Sequence, residues 1–234
     1  DEPPVVADGA SMTVREDAQL AERVGTINAI DDGGNDDAFA FAFEGAADGG
    51  GRFALHADTG ALTVLQSLDH EADTRHAVRV VVKGLRFGSG GSALSTTVGL
   101  TVGVADVNEP PTLPPSLVAA IAENSADGTN IGTPLVGHDV DANDFEALTF
   151  ALGGEIAGIG ATTSGWAVQL VVDDASGGAL NYEAGAQRSL TITASDTNWD
   201  ADDSAVDDGR PALSATVAAT VRLTDLNDPP RLKA

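Results

Sequence analysis

The chain has 234 residues, 42% of them apolar but only 4% aromatic, and carries 36 acidic against 12 basic residues for a formal charge of −24. That length suits two domains of about 100 residues each with aliphatic cores, and the acidic excess excludes nucleic acid and disfavours an anionic membrane surface, since phosphate binding needs clusters of Lys and Arg. There is no cysteine, which removes disulfides, thiolate metal sites and thiol nucleophiles from consideration.

In chain order, the sequence opens on Asp1-Glu2-Pro3-Pro4. Phe39, Phe41 and Phe43 then alternate with Ala40 and Ala42, and further on Val98, Leu100, Val102 and Val104 alternate with Thr97, Gly99, Thr101 and Gly103. Asp106-Val107-Asn108-Glu109-Pro110-Pro111 follows. Beyond it the same grammar returns: Leu190, Ile192 and Ala194, then Val217, Ala219, Val221 and Leu223, each set alternating with small or polar residues. Period two predicts half-buried strands with one face inward. Gly and Asp clusters at 31–37, 46–51, 88–91 and 176–178 punctuate them as turns. Short strands with frequent turns predict β-sandwiches, with no long amphipathic helix. No stretch reaches the roughly 18 apolar residues of a membrane span.

A repeat organises these elements. Asp106 to Pro111 returns as Asp225-Leu226-Asn227-Asp228-Pro229-Pro230, 119 residues later. Val14-Arg15-Glu16-Asp17 matches Ile121-Ala122-Glu123-Asn124 at 107, Ala29-Ile30-Asp31 matches Gly137-His138-Asp139 at 108, and Leu68-Asp69-His70-Glu71 matches Leu180-Asn181-Tyr182-Glu183 at 112. A long self-similar period marks repeated units. The chain reads as two internal units of a longer array, and the acidic segment 198–210 accounts for the last widening of the spacing. The carboxylates admit two readings: a solvated acidic surface, or oxygen ligands for a hard cation such as calcium, which takes six to eight of them. Their clustering favours the cation.

The residues Glu16, Leu68-Asp69-His70-Glu71, Asp106 to Pro111, Asp139-Val140-Asp141 and Ala194-Ser195-Asp196 together resemble tandem cadherin repeats, particularly the cadherin-like domains of large bacterial surface proteins. The resemblance covers nearly the whole chain. It implies an all-β fold of two tandem Greek-key β-sandwiches with immunoglobulin-like topology, arranged end to end, with repeat 1 at 1–107, repeat 2 at 108–234 and a linker at 106–111. It also implies calcium ions between the repeats. Unit 1 would supply Glu16, Asp69 and Glu71; the linker Asp106, Asn108 and Glu109; unit 2 Asp139, Asp141 and Asp196. Backbone carbonyls of Val107 and Pro110 would complete the shells. Two departures from the family pattern stand out: Glu109 replaces an Asp, and Pro110 replaces an Asn.

The outer ends look poorer. Unit 1 has Asp31-Asp32-Gly33 and Val82-Lys83-Gly84 where unit 2 has Asp139-Val140-Asp141 and Ala194-Ser195-Asp196. At the far end of unit 2, Glu123, Glu183, Asp225, Asn227 and Asp228 form an incomplete set, with Asn181 in place of Asp69. Asp139-x-Asp141-x-Asn143 opens like an EF-hand loop but lacks its Gly and final Glu, and Asp196-x-Asn198-x-Asp200 lacks the Gly. His56, His70, His76 and His138 show no zinc spacing, and the side chain of His70 is expected to point away from the ligands beside it. Trp166 is expected in the core of unit 2, near the place of Phe53 in unit 1. Trp199 is either an exposed anchor for a partner or the anchor of its own loop. No nucleophile elbow or phosphate loop is present.

The expected function is an extracellular, cell-surface adhesion module, not an enzyme, in which calcium rigidifies the junction of two repeats. The alternative is calcium-dependent binding of polysaccharide or of another cadherin-like repeat. A monomeric fragment without membrane insertion is expected.

Overall fold

Alternating burial along the chain shows how the core is assembled. In the computed structural model, which describes residues 3–6, 11–30, 38–85, 94–141, 148–175, 177–196 and 212–227, every one of Val98, Leu100, Val102 and Val104 is buried while Thr97, Gly99 and Thr101 between them are exposed. The chain divides into two compact units, Asp1–Val107 and Asn108–Ala234. The described residues contain strands and no α-helix.

Unit 1 contains β1 (Val5–Val6), β2 (Met12–Arg15), β3 (Arg23–Thr26), β4 (Ala29–Ile30), β5 (Ala38–Asp48), β6 (Phe53–Leu55), β7 (Ala61–Val64), β8 (Arg75–Leu85) and β9 (Ser95–Ala105). One sheet runs β2-β9-β8-β5 and the facing sheet β3-β7-β6, with β1 paired to β4. The first strand of the larger sheet lies parallel to the last, Val14 opposite Val104, which is a Greek-key return in a sandwich. Val78, Val80 and Val82 of β8 are fully buried against Phe53, Leu62 and Val64 of the other sheet, in one apolar cluster. Each such aliphatic side chain contributes about 1.5–3 kcal/mol by leaving water, so aliphatics suffice where aromatics are few.

Unit 2 repeats the plan. It contains β10 (Leu117–Ala122), β11 (Asn130–Val136), β12 (Thr149–Gly154), β13 (Gly158–Ser164), β14 (Ala167–Asp173), β15 (Gln187–Ser195) and β16 (Ser214–Thr224). The sheets are β10-β16-β15-β12 and β11-β14-β13. Here β10 runs parallel to β16, Ile121 opposite Leu223, the counterpart of Val14 opposite Val104. Leu190, Ile192, Val217, Ala219 and Val221 face inward from the larger sheet onto Ile131, Leu170 and Val172.

Trp166 does not take the core position expected from the sequence. It lies half-buried in the two-residue turn between β13 and β14, while the buried cluster draws on Ile159 from β13. Its carbonyl accepts the amide of Gly137, as the carbonyl of Gly60 accepts that of Ile27 in unit 1. The backbone role is shared by the two units, but the side chain follows a shorter hairpin. Gly165, with φ of 58°, opens that hairpin, as two-residue turns with Gly first require. The loop with Trp199 and residues 200–208, the Asp31 to Asp37 segment, Asn143-Asp144 and Asp228 to Pro230 lie outside the described residues.

Candidate metal centre

Glu16 follows the last residue of β2, where its own amide bonds Ala105 O at the end of β9. That places its carboxylate at the end of unit 1 from which the chain leaves. One oxygen accepts the backbone N–H of His70 at 2.7 Å and the other that of Val107 at 2.7 Å. These donors lie 54 and 91 residues away in sequence. Glu16 therefore ties the 69–73 turn and the departing strand end to the first strand of the sheet, and it is buried.

The turn around Asp69 is set by its own side chain. Asp69 Oδ1 accepts the amide of Ala72 at 2.8 Å, and the amide of Asp73 bonds Asp69 O at 3.0 Å, a single helical turn capped by the Asp69 side chain. The segment is thus not extended, and successive side chains do not alternate. This is why His70 departs from the sequence expectation: its Nδ1 lies 3.3 Å from Glu71 Oε1 and 3.6 Å from Asp106 Oδ2. Burial pushes the Glu16 carboxyl above its ordinary value, and Glu71 and Asp106 push the same way by repulsion, against the two backbone N–H groups that pull it down.

At the end of unit 2 where its chain enters, a second acidic set forms. The entering segment is pinned by paired backbone bonds between Thr112 and His138, of 2.6 and 3.0 Å. Asp139 and Asp141 follow, both buried, with the amide of Asp141 on Asp139 Oδ1 at 3.2 Å. The amide of Glu109 donates to Asp141 Oδ2, and the side-chain amide of Asn108 donates to Asp196 Oδ2 at 3.1 Å. Asp196 is held at the end of β15 by reciprocal bonds with Leu213, N to O at 3.1 Å and Oδ1 from the Leu213 amide at 2.8 Å.

The nine side chains expected from the sequence, together with Val107, fall into two groups. Glu16, Asp69, Glu71, Asp106 and Val107 gather at the exit end of unit 1, and Asn108, Glu109, Asp139, Asp141 and Asp196 at the entry end of unit 2. Within unit 1, Val107 acts as an amide donor to Glu16. Carboxylates and carbonyls are the donors that a hard divalent cation takes, and Glu16, crowded by Glu71 and Asp106, is a carboxylate that such a cation would relieve.

The remaining two ends differ. At the exit end of unit 2, Glu123 accepts the amides of Tyr182 at 2.8 Å and Leu226 at 2.7 Å, repeating the arrangement of Glu16. Asn181 Oδ1 caps its turn through Ala184 N at 2.8 Å as Asp69 does; this turn needs only an acceptor oxygen, which Asn provides as well as Asp. Glu123, Glu183 and Asp225 place carboxylate oxygens within 4.8 Å of one another. The amides of Leu226 and Tyr182 hold the Glu123 carboxyl below its ordinary value. At the entry end of unit 1, Gly84 stands in the place of Asp196, its amide bonding Leu94 O as that of Asp196 bonds Leu213 O, and it offers no side chain.

Residues 10–105 match the family model of the cadherin domain. The whole-length similarity extends further: human protocadherin gamma-B5 is 28% identical over 230 residues, 97% of this chain and 22% of the relative. Among solved structures, protocadherin gamma B2 extracellular cadherin domains 3–6 share 25% identity and a TM-score of 0.68, over 97% of this chain and 48% of that one. The protocadherin gammaB7 EC3–6 cis-dimer structure gives 25% and 0.65, over 96% and 48%. This chain thus spans about a fifth of the length of the relative it matches, and its fold is the all-β sandwich of those tandem cadherin domains.

Proposed function

We propose that this chain is a pair of tandem cadherin repeats from an extracellular adhesion protein, and that calcium is held by the carboxylates at the exit end of unit 1 and the entry end of unit 2. Because Val107 and Asn108 are consecutive, the two acidic sets are covalently joined, and their ligands can be shared. The observation that carries the reading is Glu16: two backbone amides from distant segments fix a buried carboxylate among other carboxylates. That arrangement leaves crowded negative charge which a cation would offset.

In this reading Glu16, Asp69, Glu71 and Asp106 hold calcium from unit 1, and Asn108, Glu109, Asp139, Asp141 and Asp196 from unit 2, with Val107 and Pro110 adding carbonyls. Bound calcium supplies positive charge and fixed oxygen coordination. Asp141 anchors the linker through the Glu109 amide, and Asn108 steadies Asp196, so the unit 2 ligands are held in place by the segment that joins the units. Calcium would thereby stiffen the junction, and an array of such units would project a binding surface away from the cell. The chain would have no catalytic role.

A second reading is that the repeats also bind like repeats. The similarity to a cadherin structure described as a cis-dimer favours it. The comparisons lend no support to a polysaccharide ligand or to a bacterial surface-protein origin. Calorimetric titration of calcium into wild type and Asp141→Ala tests the calcium reading. Wild type should bind saturably, and the variant at least tenfold more weakly. Absence of calcium heat in wild type, or equal affinity in both, would sink it.

A further inference from the structure

The exit end of unit 1 contains a nitrogen donor that the calcium reading does not use. His70, Glu71 and Asp106 each place one ligand atom, a ring nitrogen or a carboxylate oxygen, within 4.8 Å of the other two. Two of the three separations are 3.3 and 3.6 Å. A tetrahedral metal with ligand bonds of about 2.0–2.2 Å has ligand-to-ligand edges of about 3.3–3.6 Å. The two separations from the imidazole nitrogen already match the edges of such a site. The corresponding cluster of unit 2, Glu123, Glu183 and Asp225, is all oxygen, because Tyr182 occupies the position of His70.

We propose that His70, Glu71 and Asp106 form a site for a borderline first-row divalent cation of the zinc class, and that this cation competes with calcium at unit 1. Calcium takes oxygen donors, whereas imidazole nitrogen draws zinc and its neighbours in the series. A zinc ion on His70 would take Glu71 and Asp106 away from a calcium cluster. The zinc site stands on the unit 1 geometry; the competition rests on the calcium reading above. The turn capped by Asp69 holds His70 toward Asp106, so the site needs no rearrangement of the backbone.

The test uses the whole chain, stripped of metal with a chelator. Zn2+ is titrated against a chromophoric competitor into wild type, His70→Ala and His70→Gln, with Co2+ as a spectroscopic stand-in and far-UV circular dichroism as the check on folding. Wild type should bind one Zn2+ that both variants bind at least tenfold more weakly, and the visible bands of tetrahedral Co2+ should disappear with His70. Calcium titration of the variants should match wild type, while saturating zinc should weaken calcium binding in wild type alone. Equal zinc affinity in wild type and both variants overturns the proposal, as does zinc that leaves wild-type calcium affinity unchanged. If calcium fails to bind wild type while zinc still requires His70, the calcium reading falls and the zinc site stands.

Discussion

Two glutamates in equivalent places behave oppositely. Glu16 and Glu123 each accept two backbone amides, yet burial raises the first and the amides lower the second. For Glu16 the folded chain keeps its proton to a higher pH than the unfolded chain. Between those two values the folded state binds more protons, so stability falls as pH rises. For Glu123 the unfolded state binds more protons in the corresponding window, so its stabilisation is present above the unfolded value and is lost as pH falls through the folded value. Urea unfolding in EDTA across the acid range should therefore show opposite trends. Relative to wild type, Glu16→Gln gains stability as pH rises through the carboxylate window, and Glu123→Gln loses it. Parallel trends for both variants would contradict this account of the two sites.

Strands are the scale at which sequence and structure agree most closely. The inward sets Val98 to Val104, Leu190 to Ala194 and Val217 to Leu223 follow from period two because one face of each strand has to leave water. The matching Glu16 and Glu123, and the Asp69 and Asn181 turns, are likewise legible from repeat spacing. Three features were not. The bonds of Glu16 reach 54 and 91 residues along the chain, which no local pattern encodes. His70 turns inward because Asp69 caps a turn where an extended segment was expected. Trp166 sits in a hairpin whose length differs from its counterpart in unit 1. Turns also give the sharpest test at this scale. Gly60 has φ of 66°, and a Cβ there would meet Ile27 O at 2.5 Å, so Gly60→Ala should cost about 1–3 kcal/mol in a chemical melt. Gly165, at φ of 58° with open space around it, should tolerate Ala with only the smaller cost of its backbone angle. Equal losses at the two positions would show that the contact with Ile27 is immaterial.

For the molecule as a whole, the calcium reading would make part of the acidic surplus two sets of ligands, one at the exit end of unit 1 and one at the entry end of unit 2, joined in sequence through Val107 and Asn108. If calcium binds both sets, small-angle scattering should show a narrower distribution of particle dimensions in calcium than in EDTA, with unchanged strand content by circular dichroism. Scattering curves that superpose would argue against a junction stiffened by metal. The most direct measurement of shared ligation is amide hydrogen exchange at His70 and Val107, the two donors to Glu16 in unit 1. The account predicts that calcium slows exchange at both amides in wild type, and that Asp141→Ala, a change confined to unit 2, abolishes the slowing. Exchange that is indifferent to calcium, or slowing that survives Asp141→Ala in full, would contradict it.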